Sequence, residues 1–294
     1  MKLTVQNLRK QVSGQVVLQD ISFTWAPGEI IGLVGQNGAG KTTLMRTLVN
    51  QYRPDGGALL LDGESLDAHP ARRESLIYID PTQTFFGRYT LAALVAFYAE
   101  AYPAFDRRRF ASMAADHGLK LGQRYRELSK GYQALVVMLL TLASNAPLML
   151  LDEPFDGLDL FVREAIVGLV ISEVAEGRRG FLIASHNLIE LDGLADRILF
   201  LRRNTISHDY QLEDLRAKAV KLQLVFTQDG IPSVVRELGQ VLSVRGRVVE
   251  VLFRDYTPAV QAQIEALAPV LMAPLPLDLT DIFRSEFSRM EGER

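Results

Sequence analysis

The chain has 294 residues, 48% hydrophobic and 23% charged, with a formal net charge of −3 and no cysteine. Those proportions exclude a disordered, collagen-like or mucin-like chain, and the missing cysteine excludes disulfides, Cys-ligated zinc, iron–sulfur clusters and thiol nucleophiles. The slightly acidic balance disfavours nucleic acid as the main partner, and the length suits one large domain or two modest ones.

Residues 1–7 run into polar side chains and lack the apolar core of a signal peptide, so export is not expected. Residues 1–25 alternate in the manner of strands, closed by Pro27 and Gly28. A second strand, residues 29–34, meets a glycine-rich loop. A helix follows over residues 42–50, where Leu44/Leu48 and Met45/Val49 share helical spacing. Asp55, Gly56 and Gly57 signal a turn before a short strand at residues 58–61. Residues 90–102 and 106–117 read as helices separated by Pro103, and a third starts at Ser129 as its cap and runs to Ala143. The most apolar stretch, residues 134–151, is broken by Thr141, Ser144, Asn145 and Pro147. A spanning helix needs about 20 uninterrupted apolar residues, so the stretch is expected to be a buried helix, a loop and a buried strand.

From Pro147 the pattern is strand (148–151), helix (160–175), strand (181–184), helix, strand (198–201), which argues for a largely parallel sheet covered by helices. After Arg202, Arg203 and Asn204 the texture changes. Residues 220–226, 233–238, 241–244, 248–253, 259–267 and 270–273 read as strand, helix, strand, strand, helix, strand, the order of a split βαβ unit, followed by a last helix over residues 279–290. Two domains are therefore expected, 1–204 and 205–294, the second an accessory α+β module.

Gly35, Gln36, Asn37, Gly38, Ala39, Gly40, Lys41 and Thr42 fit G-x-x-x-x-G-K-[ST] between an apolar strand and a helix, the context that gives the motif meaning. Its glycines let backbone N–H groups turn inward as an anion nest at the positive end of the helix. Lys41 supplies a full charge to the β- and γ-phosphates, the Thr42 hydroxyl suits Mg²⁺, and Thr43 reaches toward the α-phosphate. Residues 148–151 feed Asp152 and Glu153 to the C-terminal edge of a sheet, where α/β proteins bind ligands. Asp152 would hold Mg²⁺ through its water shell, and Glu153 would orient or deprotonate an attacking water; seen alone, the pair could equally be a loop cap. A lone histidine after a strand is usually structural, but His186 follows a third such strand, where an imidazole can meet the γ-phosphate. Asp159 reads equally as a cap for the next helix. Ser129 and Gly131 open a helix, a commonplace start that also suits a second phosphate contact. Arg107, Arg108 and Arg109 read as a solvated helix face.

Taken together, residues 1–204 resemble the ATP-binding subunit of an ABC transporter. The order of motifs carries the resemblance: P-loop, helical insertion, signature at residues 128–132, Walker B at 148–153, D-loop at 157–159 and switch histidine His186. The form of the signature and residues 101–106 resemble the exporter branch related to bacitracin and multidrug efflux ATPases. The resemblance implies an α/β fold: a P-loop NTPase core with a mainly parallel sheet, an N-terminal antiparallel β subdomain and a helical subdomain at about residues 84–145, to which the element order after residue 204 adds a small ferredoxin-like C-terminal α+β domain. It also implies ATP and Mg²⁺ as cofactors, Lys41, Glu153 and His186 as catalytic residues, and a head-to-tail dimer in which Ser129 and Gly131 of one chain complete the site of the other. The partner would be a second copy or a paralogous ATP-binding subunit, together with multi-spanning membrane subunits on the cytoplasmic face of the membrane, with no nucleic acid. Val12 stands at the family's adenine-stacking aromatic, Tyr132 stands at the signature's last glutamine, and Gln83 is the nearest glutamine for the loop that touches nucleotide and Mg²⁺. The other readings are an ABC ATPase acting on ribosomes or DNA, disfavoured by a single ATP domain and by the lack of heptads, and a nucleotide-sensing regulatory subunit.

Overall fold

The structure is a computed structural model that describes residues 1–79, 85–227 and 230–284. In chain order its first unit contains β1 (Leu3–Val12), β2 (Gln15–Trp25), β3 (Ile30–Val34), α1 (Lys41–Leu48), β4 (Gly56–Leu61), β5 (Glu64–Ser65) and β6 (Leu76–Ile79). There follow α2 (Leu91–Ala101), α3 (Arg107–Asp116), α4 (Lys130–Ala143), β7 (Leu148–Asp152), α5 (Leu160–Ala175), β8 (Gly180–Ser185), α6 (Leu188–Leu191), β9 (Arg197–Arg202) and β10 (Thr205–Gln211). Contacts divide the chain into Met1–Asp209 and Tyr210–Arg294, so the boundary falls near the end of β10.

The first unit holds two sheets. β2, β1, β4 and β5 form an antiparallel sheet in that order, and β10-β9-β3-β8-β7-β6 form the second, whose pairs from β9 through β6 are parallel. β3, β7 and β8 are buried at every position, the continuous burial expected of parallel strands covered on both faces. Ile31, Leu33, Leu150 and Leu182 of these strands and Leu44 and Leu48 of α1 share one core with Leu3, Leu8 and Trp25 of the antiparallel sheet.

The apolar middle of the sequence resolves into α4, buried from Leu135 to Ala143, and into β7. Thr90, Asp106, Ser129 and Asp159 cap α2, α3, α4 and α5, each side chain accepting a backbone N–H of the first turn. The arginine run at the start of α3 is not wholly a solvated face. Arg109 donates to the carboxylate of Glu173 on α5, which Arg179 also engages, and Glu173 and Arg179 are both buried. A buried carboxylate needs a charged partner, and this one is held between two guanidinium groups.

Among the elements that escape the sequence patterns are β6, β10 and α7 (Leu212–Lys218). Arg203 and Asn204, at φ 48° and 68°, form the tight turn that returns the chain from β9 into β10, which explains why the texture changes there.

The second unit carries α7, β11 (Val220–Val225), α8 (Ser233–Leu238), β12 (Gln240–Arg245), β13 (Val248–Phe253), α9 (Pro258–Glu265) and β14 (Leu271–Leu275). Its antiparallel sheet runs β12-β13-β11-β14, the strand order that a split βαβ unit generates. Leu222, Leu224, Val249, Val251 and Phe253 alternate onto one face, where Val235 of α8 and Ile264 of α9 cover them. The final helix is seen at residues 279–284, and the rest of the expected span lies outside the described residues.

Candidate nucleotide site

Three parallel strands end side by side. In register, Val34 of β3 lies beside Ser185 of β8, and Ala184 of β8 lies beside Asp152 of β7. The next residues of each strand therefore emerge at one edge of the sheet: the glycine loop after β3, His186 after β8 and Glu153 after β7. This is how residues far apart in sequence come to share one site, and it is a property of the crossover topology.

The loop is shaped by its glycines. A Cβ at Gly35 would come 2.7 Å from the carbonyl oxygen of Leu201, and Gly40, at φ 104°, lies where a Cβ would stand 3.1 Å from the backbone oxygen and Cγ1 of Val17. Gly40 is the N-cap of α1 and supplies no side-chain cap, so the first N–H groups of the helix face outward for an anion. A cavity of about 350 Å³ lies there, lined by Gln36, Asn37, Gly38, Gly40, Lys41, Thr42, Thr43 and Glu153, and closed by Val12 and Val17. Ala39, partly exposed, completes the loop turn by donating its N–H to Gln36 O at 3.0 Å.

Lys41 is buried, 6% exposed, yet its Nζ is well supplied with acceptors: Gly35 O at 2.7 Å, Gln36 O at 3.4 Å and Glu153 Oε1 at 3.2 Å. The other oxygen of Glu153 meets His186 Nδ1 at 2.9 Å and accepts the His186 N–H at 3.3 Å. One carboxylate thus joins the loop lysine to the histidine. Glu153 has φ 48°, a left-handed conformation unusual for a residue with a long side chain, and its N–H extends the pairing with β8 by donating to Ala184 O at 3.0 Å.

His186 is positioned by the turn that follows it. Ser185 Oγ accepts the Asn187 N–H at 2.9 Å and donates to Glu190 Oε2 at 2.7 Å, while Asn187 Oδ1 caps α6 through the Ile189 N–H at 3.0 Å.

Asp152 is buried at 7% exposure and accepts a hydrogen bond from the Tyr78 hydroxyl at 3.0 Å. The sequence patterns missed Tyr78; the available signal was the apolar run of residues 76–79, which pairs with β7 and so places Tyr78 beside the acid-bearing strand. The donor types suit Mg²⁺: an exposed Thr42 hydroxyl and the Asp152 carboxylate are hard oxygens, and among the described residues no group of three His, Asp or Glu clusters as for an ion caged by protein alone. Thr42 and Asp152 would supply an Mg²⁺ ion with two of its oxygen ligands.

Ser129 and Gly131 do not line this cavity. Ser129 is exposed and caps α4, and a Cβ at Gly131 would meet Val162 Cγ2 at 3.1 Å and Asp159 Oδ2 at 3.4 Å, so the start of α4 packs on the start of α5. Gln83 lies outside the described residues.

A glycine loop heading a helix, with an acid pair and a histidine delivered by the neighbouring strands, defines a P-loop ATPase. The chain belongs to the family of ABC transporter ATP-binding proteins: residues 18–156 match the family described as ABC transporter, and over 285 residues, 97% of this chain, it is 31% identical to the ABC transporter ATP-binding protein YtrB of Bacillus subtilis, covering 98% of that relative. It is also 31% identical, over 66% of its length, to the lipopolysaccharide export system ATP-binding protein LptB of Haemophilus influenzae, covering 84% of it. A solved structure described as the ATP-binding subunit of an ABC transporter matches 74% of this chain and 92% of its own, with 28% identity and a TM-score of 0.67. Members of the family are ATPases.

Proposed function

We propose that this chain is the motor of a membrane transporter, hydrolysing Mg²⁺-bound ATP at the loop while paired head to tail with a second copy or a paralogous subunit. The observation that carries the reading is the meeting of Lys41, Glu153 and His186 at the edge of three adjacent parallel strands. The loop N–H groups and Lys41 hold the phosphates. Thr42 and Asp152 would hold Mg²⁺, which neutralises phosphate charge when bound. Phosphate drawn to Lys41 takes over its charge and releases Glu153, whose carboxylate then accepts a proton from water, with His186 fixing its orientation and facing the γ-phosphate.

Two features support pairing. Ser129 and Gly131 stand outside the cavity of their own chain, and Ser129 is exposed where another copy could meet it, while Gly131, buried beside Asp159, shapes the start of the same helix. Among the described residues no helix is long and apolar enough to cross a membrane, so the spanning subunits are assigned to other chains and this one to the cytoplasmic face. Relatives named for export and for import lie at similar identity; outward transport is proposed on the form of the signature and of residues 101–106. The unit after Asp209 is proposed as an accessory module.

The test is ATP turnover by the purified chain and by Lys41→Ala, with size measured in ATP, followed by purification of the tagged chain from membranes. ATP-dependent doubling of mass, turnover lost in the variant and recovery of a multi-spanning partner support the reading. A soluble dimer recovered on ribosomes overturns it.

A further inference from the structure

We propose that this chain pairs with a second copy of itself through an apolar contact between identical residues, Leu160 and Phe161 at the start of α5 meeting the same two residues of the other copy. This rests on the reading of the chain as one half of a head-to-tail pair, and it decides between a second copy and a paralogous subunit. A group of large apolar side chains is left in water there: Phe161 is 81% exposed, Leu160 61%, Ile189 60% and Tyr132 41%. They share one surface, since Gly131 lies against Val162 and Asp159 where α4 meets α5, and Arg163 reaches the carbonyl oxygen of Ile189 at 3.5 Å. Apolar residues scattered singly need no explanation, but a group of this kind marks a contact.

Symmetry locates the surface. In a pair related by a two-fold axis, the midpoint between any atom and its image lies on the axis. When Ser129 of the second copy sits at the cavity of the first, that image position is the first copy's own cavity, so the axis passes midway between a chain's cavity and its own Ser129. The segment from Glu153, which lines the cavity, to Asp159, which lies beside Gly131, bridges these two places. Six residues reach at most about 20 Å, so the axis passes within about 10 Å of either end. Leu160 and Phe161 follow directly.

A side chain close to such an axis meets itself, so a charge there would face the same charge, whereas an apolar group buries its own copy. Leu160 and Phe161 carry no charge. The cation that follows them is turned back onto its own chain, the Arg163 guanidinium lying 5.8 Å from the centre of the Phe155 ring. Asp159 is likewise engaged by its own helix, accepting the Val162 N–H at 3.0 Å. The exposed acids Asp156 and Glu164 flank the apolar pair in the chain, as a polar rim flanks the centre of an interface. A paralogous partner would require no such self-complementary centre.

The test uses the absence of cysteine from this chain. Phe161→Cys and Ser129→Cys, each the single cysteine of the full chain, are oxidised with copper phenanthroline with and without ATP. The mass of wild type, Phe161→Cys and Phe161→Asp in ATP is measured alongside ADP affinity and melting temperature. A disulfide needs Cα atoms within about 7 Å, so Phe161→Cys is expected to cross-link to its own copy in ATP, and Ser129→Cys, which faces a cavity instead, is not. Phe161→Asp should weaken pairing about tenfold or more, at unchanged ADP affinity and melting temperature. A Phe161→Cys chain that doubles its mass in ATP without cross-linking, or a Phe161→Asp chain that pairs like the wild type, overturns the contact and leaves head-to-tail pairing standing. A wild type that stays single in ATP but is recovered with a paralogous ATP-binding subunit overturns the proposal in favour of mixed pairing. One that binds neither overturns the pairing itself.

Discussion

Glu153 both faces the lysine that phosphate must use and is proposed to act on water, so replacing it should separate two effects. In Glu153→Gln the side chain keeps its shape and an oxygen toward Lys41 but loses its charge. At the observed 3.2 Å, two unit charges attract by about 5 kcal/mol at an effective dielectric constant near 20. Glu153 is 24% exposed and Lys41 keeps the carbonyls of Gly35 and Gln36, so screening reduces the competing interaction to about 1 kcal/mol, or roughly fivefold in affinity. The assay is calorimetric titration with ADP, whose β-phosphate reaches for Lys41 but which is not consumed. The variant is expected to bind ADP about fivefold more tightly while ATP turnover falls by roughly 10² to 10⁴. Unchanged or weaker ADP binding would refute the competition for Lys41, and normal turnover would refute the role of the carboxylate.

Three further outcomes follow from groups around this centre. Tyr78→Phe removes the donor to Asp152 and should raise the Mg²⁺ concentration needed for half-maximal turnover several-fold at little change in ADP affinity, read by Mg²⁺ titration; an unchanged Mg²⁺ dependence would show the hydroxyl to be only structural. Glu173→Ala leaves Arg179 buried without its carboxylate and should cost about 3 kcal/mol in urea unfolding, whereas Arg109→Ala, which removes the more exposed of the two arginines and leaves Glu173 paired with Arg179, should cost about 1 kcal/mol. Burial pushes the Tyr125 hydroxyl up to about 12 and raises that of Tyr98 further. Because the folded values lie above the unfolded one near 10, the stability these neutral phenols contribute is full below pH 10 and drains away as pH rises toward 12; melting between pH 9 and 11.5 should show this slope, reduced in Tyr98→Phe.

Much of the site was legible because its chemistry is written locally. The loop declares itself by fixed spacing, and the acids and histidine by their position after unbroken apolar strands, which can be buried on both faces only in a parallel sheet. Long-range pairings were illegible for the same reason in reverse. Nothing near Arg109 announces a partner on α5, and nothing near Tyr78 announces Asp152 across the sheet. The pair Arg203 and Asn204 looked like a change of texture because hairpin turns and linkers draw on the same polar residues. The element β6 was hidden by its surroundings, since its short apolar run follows the polar, charged residues 70–75 with no glycine turn to set it off.

The left-handed backbone at Glu153 has a thermodynamic consequence of its own. A side chain costs roughly 1 kcal/mol or more in that conformation, and glycine would occupy it freely, but Glu153→Gly also gives up the contacts with Lys41 and His186, so the two effects offset and the variant should melt close to the wild type with no carboxylate to offer water. Any screen for thermal resistance alone would be blind to that inactive sequence, and a laboratory optimising this chain has to select for turnover and folding together.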